Sequence, residues 1–168
     1  TSGVFSANVD AGSAVVAPAQ LPSANAANAE YSAKSSLVVY DNLGGQVLLD
    51  FYYTKTAAND WEVAVYDRAS AAANTSFPYT APALAVTSLQ FDPANGLLTS
   101  GSAKDIALTV PGGAAMTVDL AKMSQLSYKF TVQNANVNGN APSAVSRVEI
   151  AEDGTLYAQY ENGKLEPL

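Results

Sequence analysis

A chain of 168 residues with no cysteine and no histidine is closed to disulfides, thiolate nucleophiles, Cys-ligated zinc and the commonest general base, and with them to most hydrolase triads. Fifteen acids against eight bases leave a net charge of −7 without any Lys/Arg cluster, so neither nucleic acid nor an anionic membrane is expected as a partner. The length suits one domain, or one domain plus a small annex, and 48% apolar residues, swollen by alanine, still suffice for a core without staples.

Residues 1–35 are rich in Ala, Ser, Asn and Pro. Apart from a short strand-like stretch at Val4–Val9 they show no sustained period and read as an extended arm or linker. The opening TSGVFSANVD has neither the basic nor the apolar region of a signal peptide. It also lacks an initiator Met, so the chain reads as a fragment of something longer. No run approaches the roughly 20 apolar residues of a membrane span.

Order is expected from Ser36. Leu37–Tyr40 is β-branched and aromatic and suits a strand. Asp41–Gly45 (DNLGG) supplies turn chemistry, with Asp41 and Gly44 shaping the reversal. Val47, Leu49, Phe51 and Tyr53 then alternate with Leu48, Asp50, Tyr52 and Thr54, the period of a half-buried strand. After a turn at Ala57–Asp60, the residues Trp61, Val63 and Val65 repeat the pattern and complete a three-strand meander.

Residues 67–85 fall back to low pattern. Strand signals return at Thr87–Phe91, and FDPANG, ending at Gly96, is a strong turn. Ile106, Leu108 and Val110 alternate, Thr117–Leu120 suits another strand, and Ala121–Leu126 is too short to call a helix. Asn-rich Gln133–Ala144 reads as a loop or domain boundary. The end holds hairpin signals: Val148 and Ile150, a turn at Gly154, then Leu156, Ala158 and Tyr160, a turn at Gly163, and Leu165. About nine or ten short strands with negligible helix predict an all-β, antiparallel fold, a β-sandwich or partly closed barrel with short hairpins.

Catalysis here would rest on carboxylates, as in glycoside hydrolysis. The candidates are Asp41, Asp50, Asp60, Asp67, Asp92, Glu149, Glu152, Asp153 and Glu161, mostly where turns or polar strand faces want them. Calcium has oxygen donors at Asp41–Asn42 and at Asp92 with Asn95, but no D-x-D-x-D-G run closes a site. The alternating Asn134, Asn136, Asn138 and Asn140 are neutral amides and poor cation ligands. Tyr31 and Lys34 evoke a proton relay, without a cofactor motif to serve. No cofactor and no metal are expected.

The aromatics cluster on neighbouring strands. Alternation sends Phe51, Tyr53 and Trp61 inward with Val47, Leu49, Val63 and Val65, as core. It leaves Tyr52 and Tyr66 as outward rings, available for subunit contact or, alternatively, for stacking on sugars.

The stretch SLVVYDNLGGQVLLDFYYTKTAANDWEVAVYD, the segments LQFDPANGLLTSG and MTVDLAKMSQLS, and the close VEIAEDGTLYAQYENGKLEPL together resemble, in order, the middle region of the bacterial flagellar hook protein family. That family's V-Y-D-S/N-L-G turn is matched at Val39–Gly44, its aromatic-x-Lys strand end at Tyr53–Lys55, and its N-x-W strand at Asn59–Trp61. Sister proteins of the rod and hook–filament junction share the Asp-Gly hairpin. The helical, coiled-coil-forming termini of the family have no counterpart here.

The resemblance implies a structural, non-enzymatic part of an extracellular helical tube, the universal joint between motor and filament. Its partners would be further copies of itself and neighbouring rod and junction proteins, while the fragment alone is expected to be monomeric. It also implies 1–35 leading into an outer, D2-like β domain at 36–140, and a returning hairpin at 141–168 belonging to an inner domain. An extracellular β-sandwich that binds carbohydrate or mediates adhesion is the alternative. A carboxylate enzyme is a third reading.

Overall fold

The computed structural model describes residues 1–139, 143–150, 154–161 and 163–168. Among these are twelve strands and three single-turn 3₁₀ segments. A nine-residue strand, β1 (Ser2–Asp10), comes first. The next four, β2 (Ala33–Tyr40), β3 (Gln46–Ala57), β4 (Asp60–Asp67) and β5 (Ala85–Gln90), form an antiparallel sheet in sequence order. The expected meander is its first three strands. Its first turn closes because Asp41 Oδ1 accepts from the amides of Leu43 (2.9 Å) and Gly45 (2.7 Å). Gly44 meanwhile takes φ +79°, a conformation cheap only for glycine.

The second sheet contains β6 (Asp105–Thr109), β7 (Ala115–Asp119), β1 and β8 (Ser124–Leu126) in that order, with β9 (Thr131–Val137) added to β1. β1 lies parallel to β7 and β8 and antiparallel to β9. Two parallel pairings thus enter an otherwise antiparallel all-β fold, and the two sheets face each other as a sandwich.

This corrects the reading of residues 1–35 as an arm. Residues 2–10 are a central strand. Phe5, Ala7 and Val9 are buried in the core, and Phe5 stacks across the sandwich on Tyr53 at 5.5 Å and Phe51 at 6.1 Å. The strand-like stretch at Val4–Val9 shows in the alternation of Phe5, Ala7 and Val9 with Ser6 and Asn8, but alternation gives no sign that the polar face is buried too. Asn8 is satisfied by long-range partners: its Oδ1 accepts from Ser124 Oγ (3.0 Å) and Leu126 N (2.9 Å), and its Nδ2 donates to Tyr128 O (2.9 Å). A buried polar group with its hydrogen bonds made is tolerated.

The Asn-rich loop prediction also changes. Residues 133–137 belong to β9, held by its ladder to β1. Most of their side chains are exposed, so this edge strand needs no hydrophobic period. Asn140 lies outside the described residues.

β10 (Val145–Ile150), β11 (Leu156–Tyr160) and β12 (Leu165–Pro167) make a separate three-stranded antiparallel sheet. It contributes nothing to the sandwich core among the described residues. Gly154 and Gly163 sit at its turns with φ +84° and +85°.

Candidate functional site

Phe51, Tyr53 and Trp61 lie in the core between the sheets, each no more than 1% exposed. Trp61 Nε1 donates to Gln125 Oε1 at 2.6 Å, tying β4 to β8. Burial pushes the Tyr53 hydroxyl far above the usual tyrosine range, with the hydrogen bond to Ser35 opposing it.

Tyr52 and Tyr66 are not surface rings. Both are fully buried on the opposite face of β3 and β4, with Phe77 and Tyr79. Alternation correctly sends them away from the inner core, but that face is roofed by two coil segments, 17–31 and 68–84. Tyr66 stacks on Tyr79 at 4.2 Å, and Tyr52 packs against Phe77 at 4.9 Å and edge-on to Tyr31 at 4.8 Å. Rings engaged on both faces cannot serve as a sugar platform, so the carbohydrate reading built on them falls.

The roof is fastened by polar tips. Asn25 pairs with the backbone of Tyr79 like a strand neighbour: its Nδ2 donates to Tyr79 O (2.8 Å) and its Oδ1 accepts from Tyr79 N (2.7 Å). Tyr66 donates to Pro22 O at 2.7 Å. Ser23 donates through its amide and hydroxyl to the Glu62 carboxylate, at 3.1 and 2.7 Å.

Asp50 sits at the centre of this second core with none of its surface exposed. Tyr79 donates to its Oδ2 at 2.6 Å and Ser36 Oγ to its Oδ1 at 3.1 Å. Since the one Tyr79 proton goes to Asp50, Tyr52 must be the donor in its 2.7 Å contact with Tyr79, giving a relay Tyr52 to Tyr79 to Asp50. Lys34 Nζ at 3.5 Å and Arg68 Nη1 at 3.3 Å balance the carboxylate charge. A buried carboxylate is tolerable only with such partners.

The electrostatics follow. Burial, then the hydrogen bond to Asp50, raises the Tyr79 hydroxyl far above the ordinary tyrosine range. Burial first, then the charge of Glu62 and Tyr52, pushes Tyr66 up to about 12. Asp50 holds the Arg68 guanidinium even more firmly protonated, by hydrogen bond and charge. The whole constellation fastens loops to a sheet. Its carboxylate is capped by donors and is closed to a substrate.

Three of the remaining predicted acids do local work, while Asp60 opens β4. Asp67 caps Ala69 N at 2.9 Å and Asp92 caps Ala94 N at 2.8 Å. Glu149 pairs with Arg147 in the open. The oxygens suggested for calcium at Asp41 and Asp92 are thus already accepting amide hydrogens, and no group of three or more His, Cys, Asp or Glu suited to a metal occurs among the described residues. Lys34, the supposed relay partner of Tyr31, is committed to Asp50 and lies 5.4 Å over the Tyr52 ring. Gly96 takes φ +72° with its amide on Asp92 O at 2.7 Å. Glu152 and Asp153 lie outside the described residues. An open cleft of about 490 Å³ beside β1 and β7 is lined by Ser2, Lys104, Asp105, Thr117 and Asp119.

Sequence reading missed the Asp50 constellation, although one signal was there. Leu48, Tyr52, Ala64 and Tyr66 share the Asp50 face through the pairs Asp50↔Tyr66 and Tyr52↔Ala64, and such a face is too apolar to stand bare.

Comparison with known proteins places the sandwich in context. The family profile of the flagellar basal body protein FlaE D2 domain matches residues 8–140. The flagellar hook protein FlgE of Rhizobium meliloti is 42% identical over 141 residues, covering 79% of this chain and 33% of that protein. FlgE of Salmonella typhimurium is 32% identical over 136 residues, covering 79% and 32%. The crystal structure of Helicobacter pylori flagellar hook protein FlgE2 aligns with a TM-score of 0.49 at 23% identity, over 80% of this chain and 31% of that one. The chain spans about a third of the length of the curated relatives it matches.

Proposed function

The chain belongs to the FlaE D2 domain family of flagellar basal body proteins, and from that premise we propose that it is part of a subunit of the bacterial flagellar hook. In this reading the hook is a curved helical tube of repeated copies that passes torque from motor to filament, and the protein acts by shape and stiffness. The 42% identity to a hook protein across 79% of the chain carries the proposal. Two further observations support it. The chain has no His and no Cys, and its buried carboxylate and tyrosines are spent on fastening loops. Both suit a structural, non-enzymatic part. Copies would meet through heterologous, non-closing contacts, the kind that build a tube. The assembled part would stand outside the cell, between rod and junction proteins.

The same proposal divides the chain into two units, with the division near 140 as in the sequence expectation and residues 1–35 joined to the outer unit. Residues 1–139 would be the outer unit and the β10–β12 sheet part of an inner one. The family match ends at 140. The two ends of the sandwich also leave side by side: Gly3 pairs with Val137, and Asn138 N donates to Ser2 O at 3.0 Å. Such an exit suits a unit carried outward on two adjacent strands.

The test is electron microscopy and swimming of cells whose full-length parent lacks residues 1–139. Absent or straightened hooks with lost motility are expected. Hooks of normal curvature with normal swimming would overturn the proposal.

A further inference from the structure

The sequence contains three Asn-Gly steps, at residues 95–96, 138–139 and 162–163. In such a step the glycine amide nitrogen can attack the asparagine side-chain carbonyl, because a following residue without a Cβ leaves the approach open. The reaction needs that amide free of a hydrogen bond and the asparagine accessible. The three steps are alike in sequence, but the structure separates them.

At 95–96 the attacking amide is occupied. Gly96 N donates to Asp92 O at 2.7 Å, in a turn where Gly96 takes φ +72°. Asn95 Nδ2, the leaving nitrogen, is also held, donating to Asp92 Oδ2 at 3.4 Å. At 162–163 the Gly163 amide donates to Tyr160 O at 2.9 Å, at φ +85°. Asn138 differs. It is exposed, it follows the end of β9, and no hydrogen bond holds the Gly139 amide among the described residues. Its Oδ1 accepts from Ser2 N at 2.8 Å. A donor on that oxygen withdraws electron density from Cγ and stabilises the negative charge that attack places there. Among the described residues nothing holds its Nδ2, the leaving nitrogen.

We propose that Asn138–Gly139 is a spontaneous deamidation site, at the point where the sandwich hands the chain to the C-terminal sheet. Gly139 N bonds to Asn138 Cγ, the Cγ–Nδ2 bond breaks, and ammonia leaves with the proton from the Gly139 amide, closing a succinimide. Water then opens the ring. Addition at Cγ gives aspartate, and addition at the main-chain carbonyl gives isoaspartate, whose backbone runs through Cβ. Either product adds a negative charge beside Ser2. The isoaspartate also lengthens the connection by one methylene where β9 leaves β1. The site would therefore record the age of the protein at the connection that follows β9.

The test is peptide mapping by mass spectrometry, with aspartate and isoaspartate separated, after storage of the full chain in warm, mildly alkaline buffer. Conversion at 138 is expected to outrun conversion at 95 by at least roughly fivefold, the ratio equivalent to about 1 kcal/mol for one turn hydrogen bond. In denaturant the ratio should collapse toward unity, because only folding distinguishes the sites. Gly139→Ala should suppress the reaction without strain, since a Cβ there would meet Tyr40, Thr1 and Val137 atoms only at 3.7–3.8 Å. An intact Asn138, a native ratio that persists in denaturant, or undiminished conversion in G139A would each overturn the proposal.

Discussion

The central strands β3 and β4 of the β2–β5 sheet are buried on both faces, and the two faces are buried by opposite means. Toward β1, Phe51, Tyr53, Trp61 and Val63 meet another sheet in a largely apolar interior. On the other side, Tyr52, Tyr66 and Tyr79 meet two coil segments, and every hydroxyl is committed to a partner. Strands bring their own satisfied backbone to a core, so hydrocarbon suffices there. Coil must be held down, and directional hydrogen bonds with a charged anchor do that. The inner core therefore sets the stability of the fold, and the outer one sets which loops stay on it.

The sharpest way to break this distinction is Trp61→Ala. Deleting a fully buried indole from the inner core should cost about 3–5 kcal/mol and leave Gln125 without its donor. Denaturant titration should show the whole sandwich weakened in one transition. If only the loops loosened, the assignment of Trp61 to the global core would be wrong.

Asp50→Ala comes next, at about 3 kcal/mol, because it strands the Tyr79 hydroxyl and removes the anion shared by Lys34 and Arg68. Its signature should be local. Proteolysis within 68–84 should accelerate well before amide protection in β3 and β4 is lost. Equal loss in both places would merge the two cores into one cooperative unit.

Alkaline pH sharpens the contrast further. Tyr66 is raised from 10.0 to about 12 in the folded protein, so the folded state holds that proton more tightly than the unfolded chain. The corresponding stability is complete below pH 10 and falls as pH rises from 10 toward 12. Tyrosinate absorbance should lag behind that of free tyrosine until unfolding releases it. Tyr66→Phe should flatten the decline, and a wild-type protein equally stable at both ends of that window would contradict the burial argument.

The smallest effect should come from the third sheet. Removing residues 143–168 takes nothing from either core among the described residues, so the sandwich should keep its stability to within about 0.5 kcal/mol. A large fall in its melting temperature would show that the two units share more than a connection.

Much of this architecture could be read directly. Period-two runs in β3 and β4 and the β-branched residues of β2 placed the meander, and the Asp-initiated, glycine-containing turn at Asp41–Gly45 placed its first reversal, because those signals are local. What failed was reading absence of pattern as absence of structure. The alternation of Phe5, Ala7 and Val9 with Ser6 and Asn8 marked only a short stretch inside a supposed arm, and the asparagines of β9 read as a loop, yet both segments are paired strands of one sheet.

The sequence alone thus determined the all-β class, the local hairpins, the exclusion of histidine and cysteine chemistry, and the family. Tertiary structure alone decided that residues 2–10 lie at the centre of a sheet, and that Tyr52, Tyr66 and Asp50 are buried. The physical reason is range. Alternation states that a strand has two faces, but what covers each face is settled by partners far along the chain, as when Ser2 pairs with Thr117, Asn8 with Ser124, and Asp50 meets Tyr79.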